Sequence, residues 1–281
     1  MRRIILFAAA FSVCTGCGVC FIQDAPDDAV VVDDRASADD GSVAGRVSLD
    51  QVDHSTWDRL LKKYVDGDGM VNYEAWKNSK DDLAALKKYL ATLSRADTRA
   101  QASEAGKLAF WINAYNALTV HGILEVYPTT SIRNHTAVAF GYNIWKDLLL
   151  PVSGEKHSLE DIEHKILRKL NEPRIHFAIV CASIGCPRLR HEAYTPATLD
   201  AQLAHNTRDF LSRKRNLQLD SQRRIIHVSS ILDWFSDDFG PTPQEGLAGL
   251  AEYMPDNAAR FVRQRSFSVR YLEYDWNINK Q

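Results

Sequence analysis

The stretch RIHFAIVCASIGCPRL, residues 174–189, decides how the chain is read. Its apolar, β-branched run from Arg174 to Cys181 suits a buried strand, and Ser183-Ile184-Gly185 with Pro187 marks a tight turn after it. On a strand His176, Ala178 and Val180 share one face, while Phe177, Ile179 and Cys181 share the other. A stiff segment of this kind fixes where a thiol points, and the turn beyond it leaves backbone N–H groups free to meet a ligand. Two uses of Cys181 and Cys186 stay open. One is a disulfide closing the short loop through Gly185, which is chemically permitted outside the cytoplasm; the other is a pair of free thiols with a role at a site. His176, Cys181, Cys186 and His191 also recur at intervals of five and are ligand types that zinc prefers. An odd separation on a strand sends His176 and Cys181 to opposite faces, so no metal site is assigned.

Outward from this stretch, KLAFWINAYNALTVHGIL (107–124) is apolar at nearly every helical angle, so a helix predicted over 104–127 belongs at the centre of the fold. Its polar residues are therefore informative. Asn113 and Asn116 lie three apart on one side, with His121 at the margin. Buried amides are costly unless paired, so they either hold neighbouring backbone or line a polar cavity. They are taken as candidate binding residues, together with Ser183 and Arg188 of the thiol turn. Ser158-Leu-Glu-Asp161 caps a helix over 159–170 whose apolar stripe is Leu159, Ile162, Ile166 and Leu170. His164 lies off that stripe, one turn after Glu160, a carboxylate placed to orient the imidazole for acid–base work.

Further helices are predicted over 52–65, 81–93, 196–211 and 243–253, and strands over 224–228 and 268–274. The expectation is an α+β fold, a mostly helical single domain over 51–281 with a small, predominantly antiparallel sheet. Asp66-Gly67-Asp68-Gly69 resembles the opening of a calcium loop, but its twelfth position is Lys77, a cation. A Gly-rich turn joining two elements is the better reading.

Residues 1–17 have the layout of a secretory signal: Arg2 and Arg3, then an apolar run from Ile4 to Val13 that is too short to span a bilayer. The run ends in Cys14-Thr15-Gly16-Cys17, which resembles a bacterial lipobox with cysteine where leucine is usual at the first position. Cys17 is thus the candidate lipidation site and a membrane the expected partner, with plain secretion as the rival. Residues 18–50 read as a disordered linker. From Asp24 to Asp50 it carries eight aspartates against Arg35 and Arg46 and no aromatic residue, too little apolar surface to offset chain entropy. Removing that acidic segment and the two leading arginines from the formal net charge of −2 leaves 51–281 at +2, which is no footprint for nucleic acid.

AFWINAYNALT, SLEDIEHKILR, the string from Arg174 to Leu203, ILDWFSDDFG and YLEYDWNIN resemble, in order from about Trp57 to Asn279, the bacterial form of the domain of unknown function 547 family. Glu163, Tyr194, Trp234, Asp238, Asp275 and Trp276 fall within the motifs of that resemblance. It implies no activity and brings no catalytic residue with it.

Two functions from different classes follow. The first is an exported, lipid-anchored cell-envelope module binding a peptide or small molecule, in which Trp111, Trp234 and Trp276 supply core and pocket walls. The alternative is a thiol-dependent hydrolase or acyl transferase. There Cys181 or Cys186 attacks, His164 or His176 takes the proton, Asn113 or Asn116 orients the base or polarises the carbonyl, and turn N–H groups steady the oxyanion. Neither reading requires a cofactor.

Overall fold

The computed structural model describes residues 46–281 apart from 138–140. The proposed signal, Cys17 and almost all of the acidic linker lie outside the described residues. A two-residue strand β1 (Val47–Ser48) leads into α1 (Ser55–Tyr64), α2 (Tyr73–Asn78) and α3 (Lys80–Ser94). Asn72 and Ser79 cap α2 and α3 by accepting the first-turn N–H groups of Ala75 and Asp82. Asp66 to Gly69 forms the expected turn, in which the Asp66 carboxylate accepts the N–H groups of Asp68 and Met70.

A short strand β2 (Ala96–Asp97), paired in parallel with β1, precedes the central helix α4 (Glu104–Val126). Ser103 caps α4, and eighteen of its 23 residues are buried, as the all-round apolar pattern requires. α5 (Ile144–Asp147) is followed by an antiparallel hairpin of β3 (Leu149–Val152) and β4 (Glu155–Ser158). The next segment is helical, as predicted, but of unusual winding: a π turn over Asp161–Ile166 and a 3-10 turn over Leu167–Leu170. Single π turns inside helices widen the backbone and recur at functional sites.

α6 (Leu199–Ser212) packs across α4. Beyond it, β5 (Leu217–Asp220) and β6 (Ile225–Ser229) run antiparallel, and four short helices follow: α7 (Ile231–Trp234), α8 (Ser236–Phe239), α9 (Pro243–Gly249) and α10 (Asp256–Val262). β7 (Ser268–Leu272) returns to pair in parallel with β6. The result is a mixed α+β domain, mostly helical, with small sheets whose bridges, counting the isolated ones outside the named strands, are mostly antiparallel. Two apolar clusters fill it. One surrounds α4; the other lies beneath the three-stranded sheet and includes Phe177, Phe210, Ile226 and Val262.

The predicted strand over 174–181 is absent. Pro173–Phe177 is a 3-10 helix, with proline at its start and the Glu172 carboxylate accepting the Arg174 N–H. Ala178 and Ile179 still bond back to the Ile175 carbonyl, and residues 178–181 join no sheet. The side chain of Asn116 supplies what a neighbouring strand would have given: it accepts the Val180 N–H at 2.9 Å and donates to the Ala178 carbonyl at 3.0 Å.

Candidate functional site

Cys181 emerges from that pinned segment and is followed by Ala182, which is held at φ 60° although it is not glycine. The left-handed conformation is costly for alanine. It is held here by the C-terminal stretch, whose Asn279 N–H donates to the Ala182 carbonyl while the Ile184 and Gly185 N–H groups donate to the carbonyls of Asn277 and Asp275. The Cys186 N–H closes the turn on the Ser183 carbonyl, and the Cys181 N–H donates to the Cys186 sulfur at 2.9 Å. These bonds narrow one expectation: the N–H groups of Cys181, Ile184, Gly185 and Cys186 are engaged within the turn.

Both cysteines are free thiols, Cys181 partly exposed and Cys186 buried. The Tyr274 hydroxyl lies 3.1 Å from each sulfur, and the Ser183 hydroxyl lies 3.5 Å from that of Cys181. The Cys186 thiol, Tyr274 and Ser183 together hold the Cys181 thiol below the ordinary thiol range, against the opposing pull of burial. Burial pushes Cys186 well up. Gly185 makes this closeness possible, since a β-carbon there would meet the Tyr274 ring at 2.9 Å.

The thiols lie in a cleft of about 280 Å³. Trp145, Trp234, Phe235, Tyr274 and Trp276 give it aromatic walls, and Ile179 and Ile231 add aliphatic surface. Lys146 and Glu160, 3.6 Å apart, contribute one ion pair. Its size is at the low end for small-molecule sites, suited to a compact group or the end of a longer one.

Among the titratable groups lining the cleft, Glu163 accepts the Tyr115 hydroxyl at 3.2 Å, and burial pushes its carboxyl up to about 7. The negative charge of Cys181 adds to that rise. His176 is buried, its ring stacked 4.1 Å from Phe235, with Nε2 2.7 Å from an Asp238 carboxylate oxygen. Its Nδ1 has no hydrogen-bond partner among the described residues. Burial holds the imidazole down at about 4, so it is neutral at pH 7; with the proton on Nε2, Nδ1 is an acceptor. Arg168 binds Asp238 in bidentate fashion at 2.6 and 2.8 Å. Burial opposes ionisation of Asp238, but Arg168 and His176 still hold its carboxyl below the usual range.

Of the residues singled out from sequence, Cys181, Cys186, His164 and His176 line one cleft. Asn113 and Asn116 instead clamp backbone behind it, Asn113 by a two-way pair of bonds to Tyr194. Ser183 supports Cys181 from below. Arg188 lies outside the cleft lining, donating to the Gly67 carbonyl. Glu160 pairs with Lys146, and His164 Nδ1 faces Arg168 at 3.1 Å, so the expected Glu160–His164 pairing is not formed. Without a strand, His176 and Cys181 are not held on opposite strand faces, yet no cluster of His, Cys, Asp or Glu suited to a metal ion occurs among the described residues. Glu163, Tyr115 and Tyr274 are functional candidates that sequence reasoning did not assign. For Glu163 a signal existed, a carboxylate one residue past Ile162 and one turn after Leu159 on the apolar side of its helix.

Residues 99–211 match a protein family described as a protein of unknown function, DUF547. The matched segment carries α4, the π turn and both thiols, but not Trp234, Phe235, Asp238, Tyr274 or Trp276. It is shorter than the span of resembling strings read from the sequence, and it supports the family assignment for this part of the chain. No curated protein and no solved structure matches the chain.

Proposed function

We propose that Cys181 is the nucleophile of a thiol-dependent acyl transferase or hydrolase acting on an amide or thioester whose acyl group lies between the aromatic walls. The observation that carries this reading is the Cys181 sulfur, free and set among hydrogen-bond donors, sharing a cleft with a buried imidazole that has one bare nitrogen and a carboxylate on the other. In this reading His176 Nδ1 takes the thiol proton, and Asp238 fixes the tautomer and steadies the imidazolium. The thiolate adds to the carbonyl carbon. The protonated Glu163 carboxyl gives its proton to the departing amine or thiol, and water or a second nucleophile then releases the acyl group. The Tyr274 hydroxyl, which donates to the Cys186 sulfur and lies 3.1 Å from that of Cys181, turns to the oxyanion in this reading.

Thioesters of graded acyl length, followed by intact-mass detection, test this. An adduct is expected on the native chain and not on Cys181→Ser, and its formation is expected to slow in His176→Asn with thermal unfolding unchanged. Adducts that persist in Cys181→Ser would overturn the reading. So would a Cys181 that iodoacetamide fails to alkylate between about pH 6 and 9.

A second reading, a module that binds a peptide or small molecule without chemistry, is favoured by one observation: Trp234, at the cleft wall, is 48 % exposed. Ligand retention by Cys181→Ala with no turnover by the native chain would select it. Either activity is assigned to an exported, lipid-anchored protein of the cell envelope on the pattern of residues 1–17, and no described helix is long and apolar enough to span a membrane. Incorporation of labelled palmitate that is lost in Cys17→Ser tests the anchor.

A further inference from the structure

Acyl transfer uses the buried Cys186 thiol only as a neighbour of Cys181, never as a reacting group. We propose that Cys181 and Cys186 work as an exchangeable dithiol: Cys181 attacks a low-molecular-weight disulfide presented at the cleft, and Cys186 resolves the mixed disulfide that results. This activity uses the same cleft but does not depend on acyl transfer.

Three features support it. The two sulfurs share one neighbour, the Tyr274 hydroxyl at 3.1 Å from each, the Cys181 N–H donates to the Cys186 sulfur at 2.9 Å, and the turn between them is closed by the Cys186 N–H to Ser183 carbonyl bond. Their exposures differ in the sense exchange requires. Cys181 is partly exposed at the cleft, while Cys186, which lines the same cleft, is only 4 % exposed and is the less accessible of the two. The third feature is Tyr274. During exchange the negative charge leaves Cys181, passes to a released thiolate and then arises on Cys186. A single hydroxyl 3.1 Å from both sulfurs can donate to whichever carries it.

The chemistry balances. The Cys181 thiolate attacks R–S–S–R, forming a Cys181–S–S–R bond and breaking the S–S bond of the substrate to release RS⁻. The Cys186 thiol loses its proton to that thiolate and attacks the Cys181 sulfur. The Cys181–Cys186 bond forms as the second RS⁻ leaves and takes from water the proton that the Cys181 thiol had released on ionising. The dithiol gives up two electrons and the substrate disulfide is reduced to two thiols; a small external thiol reverses the cycle.

The test equilibrates the reduced full chain with 2-hydroxyethyl disulfide and 2-mercaptoethanol at graded ratios, quenches with iodoacetamide and maps tryptic peptide 175–188 (IHFAIVCASIGCPR), which contains both sulfurs and none of the other cysteines. The expected result is a peptide that loses two hydrogens and both alkylation sites as the ratio rises, with no lasting hydroxyethyl adduct. Cys186→Ser is expected to hold the adduct on Cys181 until reduced, and Cys181→Ser to show no exchange. A native peptide that stays a dithiol at every ratio would overturn the proposal. A stable adduct on native Cys181 with Cys186 still alkylated, or exchange at Cys186 in Cys181→Ser, would do the same. If Cys186→Ser does not fold, the native chain alone decides between bridge and adduct. Thioester adducts, measured under full reduction, succeed or fail independently.

Discussion

Behind the thiol turn and in front of it, the domain treats buried polar groups in opposite ways. Behind it, the amides of Asn113 and Asn116 are satisfied on both their oxygen and nitrogen by backbone of Tyr194 and of residues 178 and 180. In front, among the described residues, His176 keeps a nitrogen without a hydrogen-bond partner, and Glu163 has a tyrosine hydroxyl and the more distant charge of Arg168 but no direct ion pair. Paired amides in an apolar setting set the shape of the backbone. Groups left with unspent capacity at a cleft are available for chemistry, and they weaken the fold in doing so.

The sharpest way to break this contrast is Asn116→Ala. It strands the Val180 N–H and the Ala178 carbonyl, and a loss of roughly 2–5 kcal/mol is expected from two unmet buried groups. Urea unfolding measures it; a midpoint close to that of the native chain would mean the amide is no clamp. Next in size is Glu163→Gln on the cleft side. Because the folded carboxyl titrates at about 7 and the unfolded one at about 4.5, folding takes up a proton between these values. The native contribution is most favourable below about pH 4.5 and is lost as pH rises to about 7. The variant is expected to lack that slope and to gain roughly 2–3 kcal/mol above pH 7 relative to the native chain. Parallel unfolding curves across this window would show that Glu163 is not held protonated.

Gly185→Ala should cost less, about 1–3 kcal/mol, by forcing a β-carbon against the Tyr274 ring. The informative readout is the alkylation of Cys181, whose pH midpoint should move up as the tyrosine is displaced. The smallest effect on stability, within about 0.5 kcal/mol, is expected for Trp234→Ala at an exposed position. Weaker uptake of apolar thioesters by this variant would separate a ligand wall from a packing wall.

Most helices were legible because their apolar faces repeat with helical period, and α4 announced its place by having no polar face. The strand over 174–181 was misread for a physical reason. Ile175, Phe177, Ile179 and Val180 suit any buried backbone, and short apolar runs do not say whether their hydrogen bonds go to a strand, a tight turn or a side chain. Pro173 with Glu172 was the missed start signal. The site was half legible: residue type pointed to the thiols and His176. Trp234 and Trp276, read from sequence as pocket walls, do line the cleft, whereas Asp238 and Tyr274 come from segments whose approach depends on long-range packing, which spacing along the chain does not encode.

That long-range packing has a consequence for how reactivity arises. Tyr274 is 93 residues from Cys181 and 88 from Cys186, and the stretch around it also holds the Ala182 carbonyl and the Ile184 and Gly185 N–H groups of the thiol turn in place. Contacts so distant in sequence form late, after local helices have settled. A half-folded chain therefore carries two commonplace cysteines, and their distinctive character is acquired only when the remote segment docks. Sulfur reactivity in this protein is in effect a gauge of completed folding.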